Sequence, residues 1–168
     1  MRDHLEDTAR ERQHLILQRS ANMSLILRHK PEVIGIKLDT HGWADVNALL
    51  AGISRKYPIN RDILEEIVRS DEKQRYSFSE DGTKIRANQG HSVPVDVELS
   101  PAQPPEILYH GTAERFAYAI REGGLLPMGR LYVHLSKDVE TAVKVGSRHG
   151  KQVVFEVESG RMYRDGIP

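Results

Sequence analysis

Four short stretches of this chain carry the residue types that handle phosphate. LRHKP at 27–31 sets Arg28 and His29 at the end of an apolar helical run. KIRANQGHS at 84–92 sets Arg86 late in a short alternating segment, with Asn88, Gln89, His91 and Ser92 grouped around Gly90. LYHGT at 108–112 places His110 at a predicted strand end beside Gly111 and Thr112, and GRLYVHLS at 129–136 carries Arg130 and His134. A guanidinium is shaped for bidentate phosphate contact. Glycine admits a close backbone approach, and a strand-to-helix junction offers free N–H groups to an anion. Each stretch also has an ordinary reading. Arg28 and His29 suit a helix C-terminus, Arg86 a solvated edge strand, HGT a plain turn, and His134 a structural position. Taken together the set is rich in arginine and histidine and poor in carboxylates. Such a set stabilises a phosphate whose own oxygen reacts. It does not suit a hydrolase that activates water with paired carboxylates.

Composition narrows the classes further. The 168 residues fit one large domain or two small lobes. There is no cysteine, hence no disulfide and no thiolate chemistry. No apolar run approaches the ~20 residues of a membrane span, and the charged N-terminus lacks a signal-peptide core, so the expectation is a soluble, cytoplasmic protein. Net charge is zero, with 24 Lys+Arg against 24 Asp+Glu. Affinity for a polyanion must therefore come from a local cluster. The sequence holds no GxGxxG, GxxxxGK[ST], HExxH or GxSxG, and its eight histidines show no metal-ligand spacing, so no metal is expected.

The elements that must position these residues are legible in outline. Apolar spacing predicts a helix over 12–29, ended by Pro31. Asp45 and Asn60 are predicted N-caps of helices over 46–52 and 61–70. RYSFSEDGTKIRA reads as a β-hairpin turning at Asp81-Gly82. Helices followed by a hairpin match a winged helix-turn-helix lobe, residues 1–92. The prolines of 93–106 predict an extended connector. Beyond it, 107–168 alternates strand (107–112), helix (113–124), strand (130–136), helix (138–150) and strand (152–159). Alternation in 130–136 puts Arg130, Tyr132 and His134 on one face. The chain stops at Pro168 with no predicted helix or strand to close this lobe, so a C-terminal piece is expected to be absent.

LRHKP, GW, KQRYSFS, IRANQGHS, LYHGT and RLYVHLS, in this order and spacing, resemble the NAD-dependent RNA (tRNA) 2′-phosphotransferase family, from about Leu25 to Val157. The resemblance implies an α+β protein with an N-terminal winged-helix RNA lobe and a C-terminal ADP-ribosyltransferase-like NAD lobe. It implies transfer of an internal RNA 2′-phosphate to NAD through an RNA-2′-phospho-ADP-ribose intermediate. The products are then 2′-hydroxyl RNA, ADP-ribose 1″,2″-cyclic phosphate and nicotinamide. NAD is consumed as a co-substrate and no metal is needed. The family's Arg-His-Arg-Arg set falls on Arg28, His29, Arg86 and Arg130. Its nucleotide-binding loop falls on His110, Gly111 and Thr112, its second signature histidine on His134, and Ser136 and Asp138 follow toward the adenosine side. RNA contacts are implied at Arg28, His29, Lys73, Arg75 and Arg86. The implied partner is an RNA with an internal 2′-phosphate, tRNA-like and linked to tRNA splicing, met by a monomer. One departure stands out: Tyr132 replaces a histidine in the usual R-x-H-V-H pattern.

Two rival classes are weighed. A winged-helix nucleic-acid-binding regulator needs a basic recognition helix, but acidic residues outnumber the two arginines of 60–72. An ADP-ribosyltransferase acting on protein or nucleic-acid ends often uses a catalytic glutamate. Only Glu156 and Glu158 offer one, and their alternation reads more simply as a solvated strand face.

Overall fold

A long first helix organises the N-terminal half. The computed structural model describes residues 2–167, and in it α1 runs over Arg2–Arg28. It begins ten residues before the predicted start. The added residues hold no glycine or proline and include good helix formers such as Leu5, Glu6, Ala9 and Arg10, and Glu6 to Gln13 are exposed, so no apolar stripe marks them. Arg12 ties this part to α3 by pairing with Glu66. From Ile16 onward α1 buries Met23, Ile26 and Leu27.

Those side chains meet Leu49 of α2 (Val46–Ser54) and Leu64 and Ile67 of α3 (Arg61–Ser70). Both predicted caps form: Asp45 accepts from Ala48 N, and Asn60 from Ile63 N. A three-stranded antiparallel sheet closes the core in the order β1 (Ala44–Asp45), β3 (Lys84–Ala87), β2 (Tyr76–Phe78). Tyr76 opposite Ala87 and Ile85 opposite Phe78 and Ala44 set the register. Tyr76, Ile85 and Ala87 turn inward, and burying each large apolar side chain stabilises by about 1.5–3 kcal/mol. At the hairpin turn Asp81 accepts from Thr83 N and from the Ser79 and Thr83 hydroxyls. These bonds, the backbone one foremost, hold its carboxyl pKa down to about 2.

The chain divides into two compact units, with the division between Glu98 and Leu99. Of the proline-bearing stretch, Asp96 N bonds to Thr40 O at 2.9 Å and Val97 is buried with the first unit. Farther on, Pro105 O accepts from Ser159 Oγ at 2.8 Å, within the second unit.

In the second unit β4 (Leu108–Ala113) pairs antiparallel with β5 (Gln152–Val157). Helix α5 (Val139–Gly146) packs on that pair, and the short helices α4 (Ala117–Gly123) and α6 (Ser159–Arg164) belong to the same unit. Three expectations need correction. Residues 130–136 do not form a strand: only Ser136 pairs, through a two-way backbone bridge to Tyr109 at 2.7 and 2.8 Å. Local alternation needs a partner ladder to become a strand, and among the described residues pairing stops at the single bridge of Ser136. Second, His110, Gly111 and Thr112 lie inside β4, opposite Phe155, Val154 and Val153, and not in the turn that follows. Third, α6 follows β5, anchored by Arg164 on Glu106 at 2.6 Å. Six residues with no side-chain cap leave little trace in sequence.

Among the described residues no helix is long and apolar enough to cross a membrane.

Candidate active site

The helix end that carries Arg28 and His29 is fixed by proline. Pro31 disfavours helical backbone before it, and the N–H groups of His29 and Lys30 both fall back on Leu25 O. The Arg28 carbonyl, one of the acceptors a helix end leaves open, takes Ser92 N at 2.9 Å. The IRANQGHS loop is thus stitched to the end of α1. His29 Nδ1 lies 2.8 Å from Ser92 Oγ, and Arg28 Nη1 donates to Ser24 Oγ at 3.2 Å. Gly90 takes φ +86, and a Cβ there would come within 3.3 Å of the Arg28 guanidinium. Glycine is needed for both its backbone freedom and its missing side chain.

Arg86 enters the same region from β3. Its guanidinium lies over the Trp43 ring, 4.4 Å from the centroid. His91 is 2 % exposed and is the electrical probe of the cluster. Burial pushes its pKa down to about 4, helped by Arg28, His29 and Arg86. Arg28 and Arg86 are guanidinium groups, so a chain of zero net charge holds a local cationic cluster here. Arg86 Nε and His91 Nε2 are buried without a hydrogen-bond partner among the described residues. Unsatisfied buried polar atoms of this kind call for an explanation, and for the Arg86 Nε–H donor an anionic ligand is one.

The rest of the loop is structural. Asn88 donates from Nδ2 to Gln74 O at 2.7 Å and accepts from Ser77 Oγ at 2.8 Å, which locks the hairpin's open end. Gln89 is exposed. Lys73 and Arg75 line a separate cavity of about 260 Å³ with α1 and α3 residues. Arg75 is engaged there by Asp71 at 2.7 Å, while the Lys73 side chain is exposed.

The second unit has its own cavity of about 500 Å³, lined by His110, Gly111, Thr112, Arg130 and His134 among others. His110 Nδ1 donates to His134 O at 3.1 Å, which orients the ring and leaves Nε2 for another partner. Among the described residues Arg130 and Arg148 line this space beside Phe116 and Tyr132, and no carboxylate does. The volume is in the range of small-molecule sites, and the cation balance suits an anionic ligand. Gly111 and Gly146 bring β4 and α5 together: a Cβ on Gly111 would fall 1.7 Å from Ala142 O. Ser136 and Asp138 do not line the cavity. Asp138 caps α5 through Thr141 N at 2.7 Å, a bond that lowers its carboxyl pKa.

The structure therefore gathers Arg28, His29 and Arg86 around His91 in the first unit. It places His110, Gly111, Thr112, Arg130 and His134 on one cavity of the second. Sequence reasoning passed over Trp43, the burial of His91, and Arg148. The single tryptophan directly before β1 was the available signal for the first. Arg148 sat in a stretch read only as helix.

Comparison with known proteins decides the family. The sequence model described as RNA 2'-phosphotransferase, Tpt1 / KptA family, matches residues 15–168. The chain belongs to the RNA 2′-phosphotransferase family. A protein of Flavobacterium johnsoniae named "Probable RNA 2'-phosphotransferase" is 51% identical over 146 residues, 86% of this chain and 80% of that protein. One of Trichormus variabilis with the same name is 54% identical over the same shares. One of Fusobacterium nucleatum, also so named, is 50% identical over 85% of this chain and 81% of its own length. RNA 2′-phosphotransferases are transferases acting on RNA.

Proposed function

We propose that this enzyme moves an internal RNA 2′-phosphate onto NAD, which it consumes as a co-substrate. The observation that carries the reading is the cationic cluster of Arg28, His29 and Arg86 around a buried, neutral His91. In this reading the first unit is a winged-helix RNA lobe (1–92) and 93–106 its connector. Residues 107–168 form an ADP-ribosyltransferase-like NAD lobe. The three helices and β1-β3-β2 sheet support the former assignment. The cavity of the second unit fits NAD by its two arginines, its aromatics and its lack of carboxylates. His110, Thr112 and His134 would hold the dinucleotide there. Ser136 and Asp138 support that wall through the Tyr109 bridge and the α5 cap.

When bound, NAD supplies a ribose carbon that accepts the phosphate oxygen as nicotinamide leaves, and a ribose hydroxyl that then takes the phosphorus. The chain's own groups do the rest. Arg28 and Arg86 bind the 2′-phosphate and spread its charge. His29, oriented by Ser92, hydrogen-bonds the phosphate and moves a proton there. Arg130 is the fourth member of the proposed set and stabilises charge at phosphorus during the second transfer. Lys73 and Arg75 serve RNA outside the reacting centre. A monomeric, cytoplasmic enzyme acting on a tRNA-like RNA completes the reading.

The deciding experiment incubates the protein with a 2′-phosphorylated oligoribonucleotide, with and without NAD. The phosphate is expected to leave the RNA only when NAD is present. Retention of the phosphate under both conditions refutes the proposal.

A further inference from the structure

We infer that Trp43 is a positioning residue for Arg86, its indole face fixing the plane in which the guanidinium presents its N–H groups to phosphate. The inference rests on the reading of Arg86 as a phosphate contact.

Antiparallel pairing of Ala44 with Ile85 makes Trp43 and Arg86 cross-strand neighbours. The guanidinium carbon lies 4.4 Å from the indole centroid, well inside cation–π range. Stacking uses the face of the guanidinium and leaves its in-plane donors untouched. One of them, Nε, is buried with no partner among the described residues. Among the described residues no carboxylate pairs with Arg86, so the ring is the contact that sets its orientation.

Trp43 is itself held firmly. Its N–H donates to Asp39 Oδ1 and its carbonyl accepts from Asp39 N, both at 2.9 Å. Gly42 before it takes φ +83, with His91 Nε2 packed 3.4 Å from where its Cβ would be. A tight turn anchored on Asp39 thus fixes the backbone from which the indole projects, and a flexible arginine rests on that ring. Without the indole, Arg86 regains rotamer freedom that phosphate binding must then remove.

The test compares the full chain with Trp43→Phe, Trp43→Leu, Arg86→Ala and the Trp43→Leu/Arg86→Ala double variant, by kcat and KM on a 2′-phosphorylated oligoribonucleotide with NAD. Trp43→Leu is expected to lower kcat/KM roughly five- to thirtyfold, and Trp43→Phe to recover most of it. In the Arg86→Ala background Trp43→Leu should add almost nothing, because the platform has no cargo. A multiplicative loss in that background, or no loss in Trp43→Leu alone, overturns the inference. Activity retained by Arg86→Ala would instead refute the phosphate reading of Arg86. A second measurement needs no tryptophan variant to fold. The Arg86 Nε–Hε resonance, assigned by its loss in Arg86→Lys, should be ring-current shifted in the wild-type protein. An unshifted resonance overturns the inference.

Discussion

Replacing Gly111 by alanine should damage the second unit by far more than the size of one methyl group suggests. Alanine normally stabilises a strand position relative to glycine, by about 0.4–1 kcal/mol through the unfolded chain, where the backbone can accept it. Here the added Cβ would sit 1.7 Å from Ala142 O, 2.5 Å from its carbonyl carbon and 3.0 Å from its Cα. These are backbone atoms of α5, so no side chain can rotate away. Ordinary contact begins near 3.4 Å, so α5 must withdraw from β4 by about 1.7 Å or the strand must buckle. Gly146, whose own Cβ would meet Thr112 N and O at 2.9 Å, lies on the same contact and lets nothing shift inward. Overpacking of a well-filled contact costs about 1–3 kcal/mol, occasionally more, and a backbone clash belongs at the upper end. For a unit of this size that is a fall in Tm of roughly 12–24 °C. Thermal denaturation followed by circular dichroism measures it. Hydrogen exchange should show lost protection in β4, β5 and α5 while α1 to α3 stay protected. A Gly111→Ala protein with wild-type Tm and exchange would refute the claim that this glycine exists for strand-helix packing. Lost NAD affinity without lost stability would return it to ligand contact.

Three further outcomes are expected. Folded His91 stays neutral down to about pH 4, while the unfolded chain protonates it near the ordinary 6.5. The unfolded state then binds more protons in that window, so stability should fall as pH drops from 6.5 to 4, by on the order of 3 kcal/mol. His91→Gln should flatten this part of the urea-midpoint profile, and parallel profiles would refute the assignment. Asp138→Ala should cost about 1 kcal/mol in chemical denaturation through loss of the α5 cap, and Asp138→Asn much less. A tenfold loss of NAD affinity in Asp138→Asn would show a ligand contact instead. Arg130→Ala should slow phosphate transfer by roughly 10²–10³ and let ADP-ribosylated RNA accumulate on a gel. Finding only unreacted RNA would rule out its role in the second transfer.

Much of the first unit was legible because its signals are local. A cap residue followed by an apolar stripe needs no distant partner to declare itself, and α2, α3 and the Asp81-Gly82 hairpin formed where Asp45, Asn60 and the alternation placed them. Pro31 likewise fixed the end of α1, and with it the place of Arg28 and His29 along the chain. The second unit was harder to read. Residues 130–136 alternate like a strand, yet a strand exists only if a partner edge lies alongside, and pairing reaches Ser136 alone. HGT looked like a turn because of its glycine, but that glycine answers α5 at Ala142, far along the chain.

The sequence by itself determined which residue types were available for phosphate chemistry, the family motifs they stand in, and the helix and hairpin that carry Arg28, His29 and Arg86. Only the tertiary structure decided what surrounds them. The packing of His91 beside Arg28 and His29, the indole under Arg86 and the loop stitched to the Arg28 carbonyl all join segments distant along the chain. Desolvation and the field of neighbouring charges depend on distance in space, and spacing along the chain does not encode that distance.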